Sequence, residues 1–359
     1  MSQWPAALGP RTTRVLAGAV AASALGGVLQ GVGASATLTF VVCGVALALL
    51  ATIIATATEE LSVRLGPGPT GALNGALGNL PELFVGIFAL RHGLVSVVQA
   101  ALVGSILGNS LLVLGIAFFA GGLRHGTQSF RGETARLLVT LTLLAVAALA
   151  MPTLAARLGT PASVHEEALS VVASIMLLVV FAAALIVNLR ERHLAEPGEE
   201  DIVGGPGWPV GLALGVLGVA AVGAAIVSDW FVNALTPAAD ALHISQSFTG
   251  LVIVAIAGNA VEHTVGVQLM LKNRTDVAIN VILQSSLQIA LALTPALVLL
   301  SFVIGGSHLT LALSPLLLAA LALTAIVQLA VVYDGESTWI EGLALIGLYA
   351  VIAAAFWWG

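Results

Sequence analysis

Two glutamates lie within long apolar stretches of the sequence, where a carboxylate has little water to stabilise it. Glu82 belongs to the segment GNLPELFVGIFAL (78–90), and Glu262 belongs to GNAVEHTVGVQLM (258–270). A carboxylate in hydrocarbon is costly, so a glutamate in such a position is a functional hypothesis by default. The two side chains therefore predict a site that binds cations or carries protons.

The two segments are also similar to each other. Five residues recur 180 positions later without a gap, with Gly78, Asn79, Glu82, Val85 and Gly86 returning as Gly258, Asn259, Glu262, Val265 and Gly266. The register continues into the next apolar stretch, where Ser105 matches Ser285. Asparagine and glutamate are costly inside apolar helices, so their recurrence indicates an internal repeat and not a chance match.

The composition favours lipid as the main solvent of the chain. Of the 359 residues, 59% are hydrophobic and 8% are charged, whereas soluble domains carry about 25% charged residues. Cys43 is the single cysteine, which excludes an intramolecular disulfide and a CxxC metal site. The sequence has no Walker loop and no HExxH motif. We therefore expect a membrane protein that is not an enzyme, with no cofactor and no nucleic-acid partner.

Eleven stretches are long and apolar enough to cross a membrane as helices, which takes about 20 residues each. They cover residues 14–32, 35–57, 71–90, 94–121, 134–151, 168–189, 208–235, 246–271, 275–304, 308–332 and 340–357. With the N-terminus in the cytoplasm and the C-terminus outside, ten of the twelve Lys and Arg residues fall on the cytoplasmic side. This asymmetry agrees with the positive-inside rule, so we predict an all-α, multi-pass integral membrane protein.

The two glutamate motifs fall in the third and the eighth predicted spans, so they run in opposite directions across the membrane. Inverted-topology repeats of this kind are common in secondary transporters, whose sites lie near the bilayer midplane. We predict an N-terminal segment with one extra helix (1–33), a first five-helix repeat (34–189), an acidic cytoplasmic linker (190–207) and a second five-helix repeat (208–359).

Oxygen-bearing side chains accompany both glutamates. In each copy the asparagine precedes the glutamate by three residues, which places both on one face of a continuous helix. The predicted ion- and proton-binding residues are Glu82, Glu262, Asn79 and Asn259, with the two glutamates as metal ligands. The predicted supporting and cavity-lining residues are Gly78, Gly258, Ser105, Ser285, Asn109, Gln284, Gln288 and His263. The alternative for any one of the polar side chains in this second set is a structural hydrogen bond between helices.

The residue types at these positions suggest which ions the site takes. Carboxylate and amide oxygens are hard ligands that suit Ca²⁺. A divalent cation stabilises two ionised carboxylates, whereas two protons neutralise them in its absence. The site would therefore hold either one divalent cation or protons, which makes exchange between them obligatory. Glu59, at the end of the second predicted span, is predicted to have an access or gating role, the alternative being a solvated helix end.

These motifs resemble those of a known family. The two glutamate segments, followed by GSILGNSLLVLG (104–115) and QSSLQIAL (284–291), resemble the signature repeats of the cation/proton exchanger branch of the calcium/cation antiporter superfamily. ATEEL (57–61) resembles the second helix of that branch. The resemblance implies Ca²⁺/H⁺ exchange, with Glu82 and Glu262 as the carriers of ions and protons. It also implies a protein that often forms homo-oligomers.

Two other transport mechanisms stay open at this point. A Na⁺/Ca²⁺ exchanger of the same superfamily resembles this chain in fold, but it has Thr-Ser before the Pro-Glu of the motif where this sequence has Gly-Asn. A passive cation channel would also use carboxylates in the membrane, usually as a ring from identical subunits. We expect Ca²⁺ export driven by inward protons, in the cytoplasmic membrane of a prokaryote.

Overall fold

The computed structural model describes residues 4–65, 77–194 and 208–358, and the side chains of residues 8–61, 77–187 and 208–358. The described chain is almost entirely helical. In chain order the helices are α1 (Trp4–Gly31), α2 (Ala36–Leu65), α3 (Leu80–Arg91), α4 (Val95–His125), α5 (Gly132–Arg157), α6 (Glu166–Leu194), α7 (Val210–Leu242), α8 (Gln246–Gly258), α9 (Ala260–Leu271), α10 (Thr275–Ser301), α11 (Pro315–Val331) and α12 (Trp339–Trp357).

The lengths and composition of these helices fit a membrane. Eight helices of the described chain are long and apolar enough to cross a bilayer, and the bent pair α8 and α9 makes nine if it counts as one span. Helix α11 is also apolar but shorter, at 17 residues. The protein is therefore an all-α integral membrane protein, because helices satisfy their own backbone hydrogen bonds in lipid. The count of eleven spans stays a prediction.

The chain divides into two compact units. The first unit combines Met1–Phe88 with Val179–Ala238, and the second combines Ala89–Leu178 with Ala239–Gly359. The proposed five-helix repeats stay a prediction. The predicted acidic linker, residues 190–207, lies largely outside the described residues.

In the first unit, α1 packs along α2, and α2 also contacts α7 and the residue pair before α7. The rings of Phe40 and Phe231 stack with their centroids 4.5 Å apart. At the other end of α2, the Glu60 carboxylate accepts a hydrogen bond from the backbone N–H of Trp208 at 2.9 Å. The start of α2 therefore contacts α7, and its end is bound to the residue pair that precedes α7.

In the second unit, α4 and α8 approach each other so closely that their backbones touch. A Cβ atom added to Gly104 would lie 2.1 Å from the carbonyl oxygen of Leu251, and one added to Gly250 would lie 2.5 Å from that of Val97. Only glycine fits at such distances, and small residues commonly allow this approach between membrane helices. The contact holds α4 against α8 next to the predicted polar residues of both helices.

A small antiparallel sheet connects two loops of the second unit. Gln128–Ser129, between α4 and α5, pairs with Glu336–Ser337, between α11 and α12. The side-chain amide of Gln128 also donates to Asn273 Oδ1 at 2.7 Å, in the turn between α9 and α10. Three connections are therefore tied together at one end of this unit.

The prediction for the start of the tenth span is wrong. The sequence predicts a helix from residue 308, but α11 begins at Pro315, and residues 307–314 form a non-helical segment that we call the strap. Ser314 caps α11 by accepting a hydrogen bond from Leu317 N at 3.3 Å. Proline is favoured in the first turn of a helix because its missing N–H is not needed there. The Ser-Pro pair therefore sets the helix start.

Candidate functional site

In both glutamate motifs a helix begins directly after the Gly-Asn pair. In the second copy α8 ends at Gly258, Asn259 has φ −95° and ψ 18°, and the axes of α8 and α9 differ by 64°. In the first copy Gly78 and Asn79 form a turn immediately before α3. The predicted continuous helical face is therefore wrong, because glycine and asparagine are poor helix formers and favour helix ends.

The two copies share one backbone hydrogen bond at this point. Leu83 N donates to the carbonyl of Asn79 at 3.0 Å, and His263 N donates to that of Asn259 at 3.1 Å. Pro81 lies in the first turn of α3, where a proline is tolerated. The second copy breaks without a proline, so the Gly-Asn pair is the feature common to both breaks.

As a result, each glutamate lies in the first turn of a helix. Glu82 is in the first turn of α3, and Glu262 is in the first turn of α9. Both side chains are half-buried. The N-terminus of a helix carries a partial positive charge that favours a nearby carboxylate. Interrupted helices with polar ends are the usual way in which transporters build ion sites inside a membrane.

The second unit brings four predicted residues into one hydrogen-bond network. Asn259 Nδ2 donates to the Ala255 carbonyl at 3.0 Å and to Ser105 Oγ at 2.9 Å. Asn109 Nδ2 donates to Ser285 Oγ at 2.9 Å and lies 3.5 Å from Asn259 Oδ1, at the limit of a hydrogen bond. The network joins α4, α10 and the break between α8 and α9.

Two polar atoms next to this network are buried without a hydrogen-bond partner among the described residues. They are Asn109 Oδ1 and His263 Nε2. A Cβ atom added to Gly108 would lie 4.0 Å from His263 Nε2, so the imidazole reaches the residue that precedes Asn109. Buried polar atoms of this kind normally bind something, and a cation or water is the usual partner.

A pair of serines in the same region was missed by reasoning from the sequence. The hydroxyl oxygens of Ser110 and Ser286 lie 3.1 Å apart, and both side chains are fully buried. The nearby segments Gly108–Val113 and Ile289–Leu293 are π-helical, a geometry frequent at functional sites. The sequence does contain one signal for these serines, because each of them directly follows a predicted site residue.

The remaining predicted residues lie near or apart from this network. Gln284 and Gln288 are half-buried on α10, on either side of Ser285 along the chain. Asn79 has 5% of its surface exposed and, like Glu82, belongs to the first unit. Glu59 is exposed near the end of α2. The pairing of Glu82 with Glu262 stays a prediction.

Comparisons with known proteins agree with these motifs. Residues 35–190 and 212–358 match the family described as sodium/calcium exchanger protein. The chain is 36% identical over 342 residues to a Ca²⁺/H⁺ antiporter of Synechocystis sp., covering 89% of this chain and 91% of the relative. It is 34% identical over 331 residues to the Ca²⁺/H⁺ antiporter ChaA of Bacillus subtilis, covering 90% and 92%. The solved structure of native YfkE matches with a TM-score of 0.81 at 30% identity, covering 96% and 99%. The chain therefore belongs to the sodium/calcium exchanger protein family, within its cation/proton exchanger branch.

Proposed function

We propose that this protein exchanges a divalent cation, Ca²⁺, for protons and exports Ca²⁺ from the cytoplasm. The main support is the break at each GNxxE motif, which places Glu82 and Glu262 in the first turn of a helix within an apolar chain. A carboxylate so placed in a membrane protein indicates an ion or proton pathway. The names of the Synechocystis and Bacillus relatives, both Ca²⁺/H⁺ antiporters, support the same function.

The proposed site combines two carboxylates with neutral oxygens. One divalent cation balances Glu82 and Glu262 when both are ionised, and two protons balance them when the cation leaves. The carbonyl oxygen of Asn109, which has no hydrogen-bond partner in the described part of the chain, and the hydroxyls of Ser105 and Ser285 supply further hard ligands, directly or through water. Because cation and protons use the same carboxylates in turn, the exchange needs no nucleotide.

The other residues take supporting roles in this proposal. Asn259 holds Ser105 and Asn109 in place, since its amide is already engaged with both. Asn79 is the counterpart of Asn259 in the first copy. We assign Gln284, Gln288 and His263 to the cavity wall. We assign Gly78 and Gly258 to the two helix breaks, and Glu59 to ion access.

We also infer that the chain forms eleven spans, one extra N-terminal helix followed by two inverted five-helix repeats. Support comes from backbone features that recur with the 180-residue period. Gly93 and Asn273 have φ values of 77° and 59°, and Gly126 and Gly306 have φ values of 76° and 100°. The distribution of Lys and Arg supports a cytoplasmic N-terminus and an external C-terminus. The bacterial relatives support a prokaryotic cytoplasmic membrane. The resemblance supports a homo-oligomer.

The test is uptake of radioactive Ca²⁺ into vesicles that contain the purified protein, under an imposed pH gradient. We expect uptake that follows the gradient, collapses with a protonophore and is lost in Glu82→Gln and in Glu262→Gln. Glu133→Gln is the matched control, because Glu133 is exposed at the start of α5. Normal transport by either motif variant would disprove the two-carboxylate site.

The same vesicles separate the alternative mechanisms. Uptake that needs a Na⁺ gradient and ignores the pH gradient would identify a Na⁺/Ca²⁺ exchanger. Ca²⁺ movement that follows voltage alone would identify a channel. Uptake that is unchanged when choline replaces Na⁺ and is abolished by the protonophore supports proton-coupled exchange.

A further inference from the structure

The strap, residues 307–314, crosses the second unit without helical structure. The side chains of Leu309, Leu311 and Leu313 are buried, and those between them are half-buried. Backbone N–H and C=O groups in a membrane protein need partners, because lipid offers none. A non-helical segment therefore has to find many of its hydrogen-bond partners outside its own backbone.

Side chains from four helices form hydrogen bonds with the backbone of the strap. Three of its N–H groups donate to hydroxyl oxygens at 2.9 to 3.0 Å: Leu309 to Ser301 of α10, Leu311 to Ser170 of α6, and Leu313 to Thr153 of α5. On α4, the amide of Gln99 donates to the carbonyls of Thr310 and Ala312 at 2.9 and 3.3 Å. The strap therefore connects α4 to α5, α6 and α10.

The packing between α4 and the strap is incomplete beside Gln99. A cavity of about 20 Å³, with room for roughly one water molecule, opens there. Its walls include Gln99, Leu102 and Ile106 of α4 with Leu309 and Leu311 of the strap. Among the described residues, the two hydrogen bonds of Gln99 are the side-chain hydrogen bonds that join α4 to the strap.

We propose that Gln99 is a positioning residue for the cation site, an inference that rests on the proposed function. Ser105 follows Gln99 on α4 by six residues, or about 9 Å along the helix axis. Asn109 lies one further turn along the same helix. By fixing α4 to a strap that is itself held by α5, α6 and α10, Gln99 keeps Asn109 within reach of Ser285 on α10.

The test compares two variants that each remove strap hydrogen bonds with little change in volume. Gln99→Met acts on α4, whereas Thr153→Val acts on α5, which carries none of the proposed site residues. We expect both to lower thermal stability. We expect Gln99→Met alone to raise the half-saturating Ca²⁺ concentration about tenfold, the effect of losing one well-placed interaction, with the maximal rate within about twofold. Equal shifts in both variants, or no shift in either, would overturn the positioning role.

A second measurement reads the position of α4 without transport. In a Cys43→Ala background, Ser110→Cys combined with Ser286→Cys places two thiols where the hydroxyls lie 3.1 Å apart. We expect oxidation to cross-link this pair efficiently, less so with Gln99→Met, and normally with Thr153→Val. An unchanged yield with Gln99→Met would refute the positioning role. Failure of the wild-type protein to exchange Ca²⁺ for protons would instead refute the proposed function, leaving the cross-linking result to decide the role of Gln99.

Discussion

The side-chain amide of Asn259 donates a hydrogen bond to the backbone carbonyl of Ala255 at 3.0 Å, and this bond sets the orientation of Asn109. A carbonyl only accepts, so Asn259 must present its nitrogen to Ala255 and its oxygen to Asn109. Asn109 then presents its own nitrogen, and its carbonyl oxygen is left buried without a partner among the described residues. One backbone carbonyl thus determines which amide oxygen is available to a cation.

Replacing Asn109 tests whether this oxygen contributes to cation binding. We expect Asn109→Ala to raise the half-saturating Ca²⁺ concentration about tenfold, because one buried oxygen ligand and its hydrogen bond to Ser285 are lost. Initial rates of Ca²⁺ uptake against Ca²⁺ concentration measure the effect. Asn233→Ala, at an exposed position on α7, is the control. An unchanged Ca²⁺ dependence for Asn109→Ala would exclude this oxygen from the site.

The orientation itself is tested by Asn259→Asp, which keeps the shape of the side chain but removes its donor. An acceptor oxygen would then face the Ala255 carbonyl and the Ser105 hydroxyl would lose its donor. We expect the variant to lose about 1–3 kcal/mol of stability and most of its transport. Thermal unfolding in detergent and uptake in vesicles measure the two effects. Wild-type behaviour in both would mean that this bond does not organise the network.

Because α4 and α8 approach each other so closely, one methyl group added at their contact should strongly lower the stability of the protein. In Gly104→Ala the new Cβ would lie 2.1 Å from the Leu251 carbonyl oxygen, so one helix has to move. Overpacking of this kind costs about 1–3 kcal/mol or more. Gly218→Ala is the matched control, because a Cβ there meets nothing within 4 Å and alanine is the better helix former. The unfolding temperature should fall strongly for Gly104→Ala only. Equal unfolding temperatures for Gly104→Ala and Gly218→Ala would contradict the backbone contact.

The polar network was within reach of sequence analysis because polar residues are rare in apolar spans. Ser105, Asn109 and Ser285 stand out for that reason, Asn259 also recurs in the repeat, and the structure brings all four together. The helix breaks could not be placed with the same rule, because a hydropathy window treats Gly-Asn as part of an apolar run. Their structure depends on backbone conformation, which the identity of glycine and asparagine indicated but hydropathy did not.

The strap shows a second limit of counting apolar residues. In HLTLALS (308–314), leucine alternates with other residues, which is the period of an extended chain, and Ser314-Pro315 marks a helix start. The same leucines raise hydropathy as much as they would in a helix, so a prediction from hydropathy places the helix start too early. Two of the side chains that bind the strap, Gln99 and Thr153, lie more than 150 residues away from it in the sequence. Only the tertiary structure could identify them.

The hydroxyl pair of Ser110 and Ser286 should contribute a measurable coupling energy. A double-mutant cycle with Ser110→Ala and Ser286→Ala isolates this contact, because each single change removes one partner. We expect a coupling of about 0.5–1.5 kcal/mol, the usual net value of a buried hydrogen bond. Ser110→Ala combined with Ser301→Ala is the control, since Ser301 bonds to Val298 and Leu309 instead. Additive losses of unfolding free energy in the first cycle would show that the hydroxyl contact contributes nothing.

Competition between protons and Ca²⁺ at the two glutamates predicts how binding depends on pH. A cation needs ionised carboxylates, so raising the pH should lower the half-saturating Ca²⁺ concentration, and acidifying should raise it. If one cation displaces two protons, each tenfold change in proton concentration changes this value by up to about a hundredfold, and by about tenfold if only one is displaced. Glu82→Gln and Glu262→Gln should therefore halve the slope on a logarithmic plot of Ca²⁺ binding to the purified protein. A slope that is the same in the wild type and in both variants would show that these carboxylates do not exchange protons for the cation, whereas a slope halved in only one variant would show that the other glutamate exchanges no proton for it.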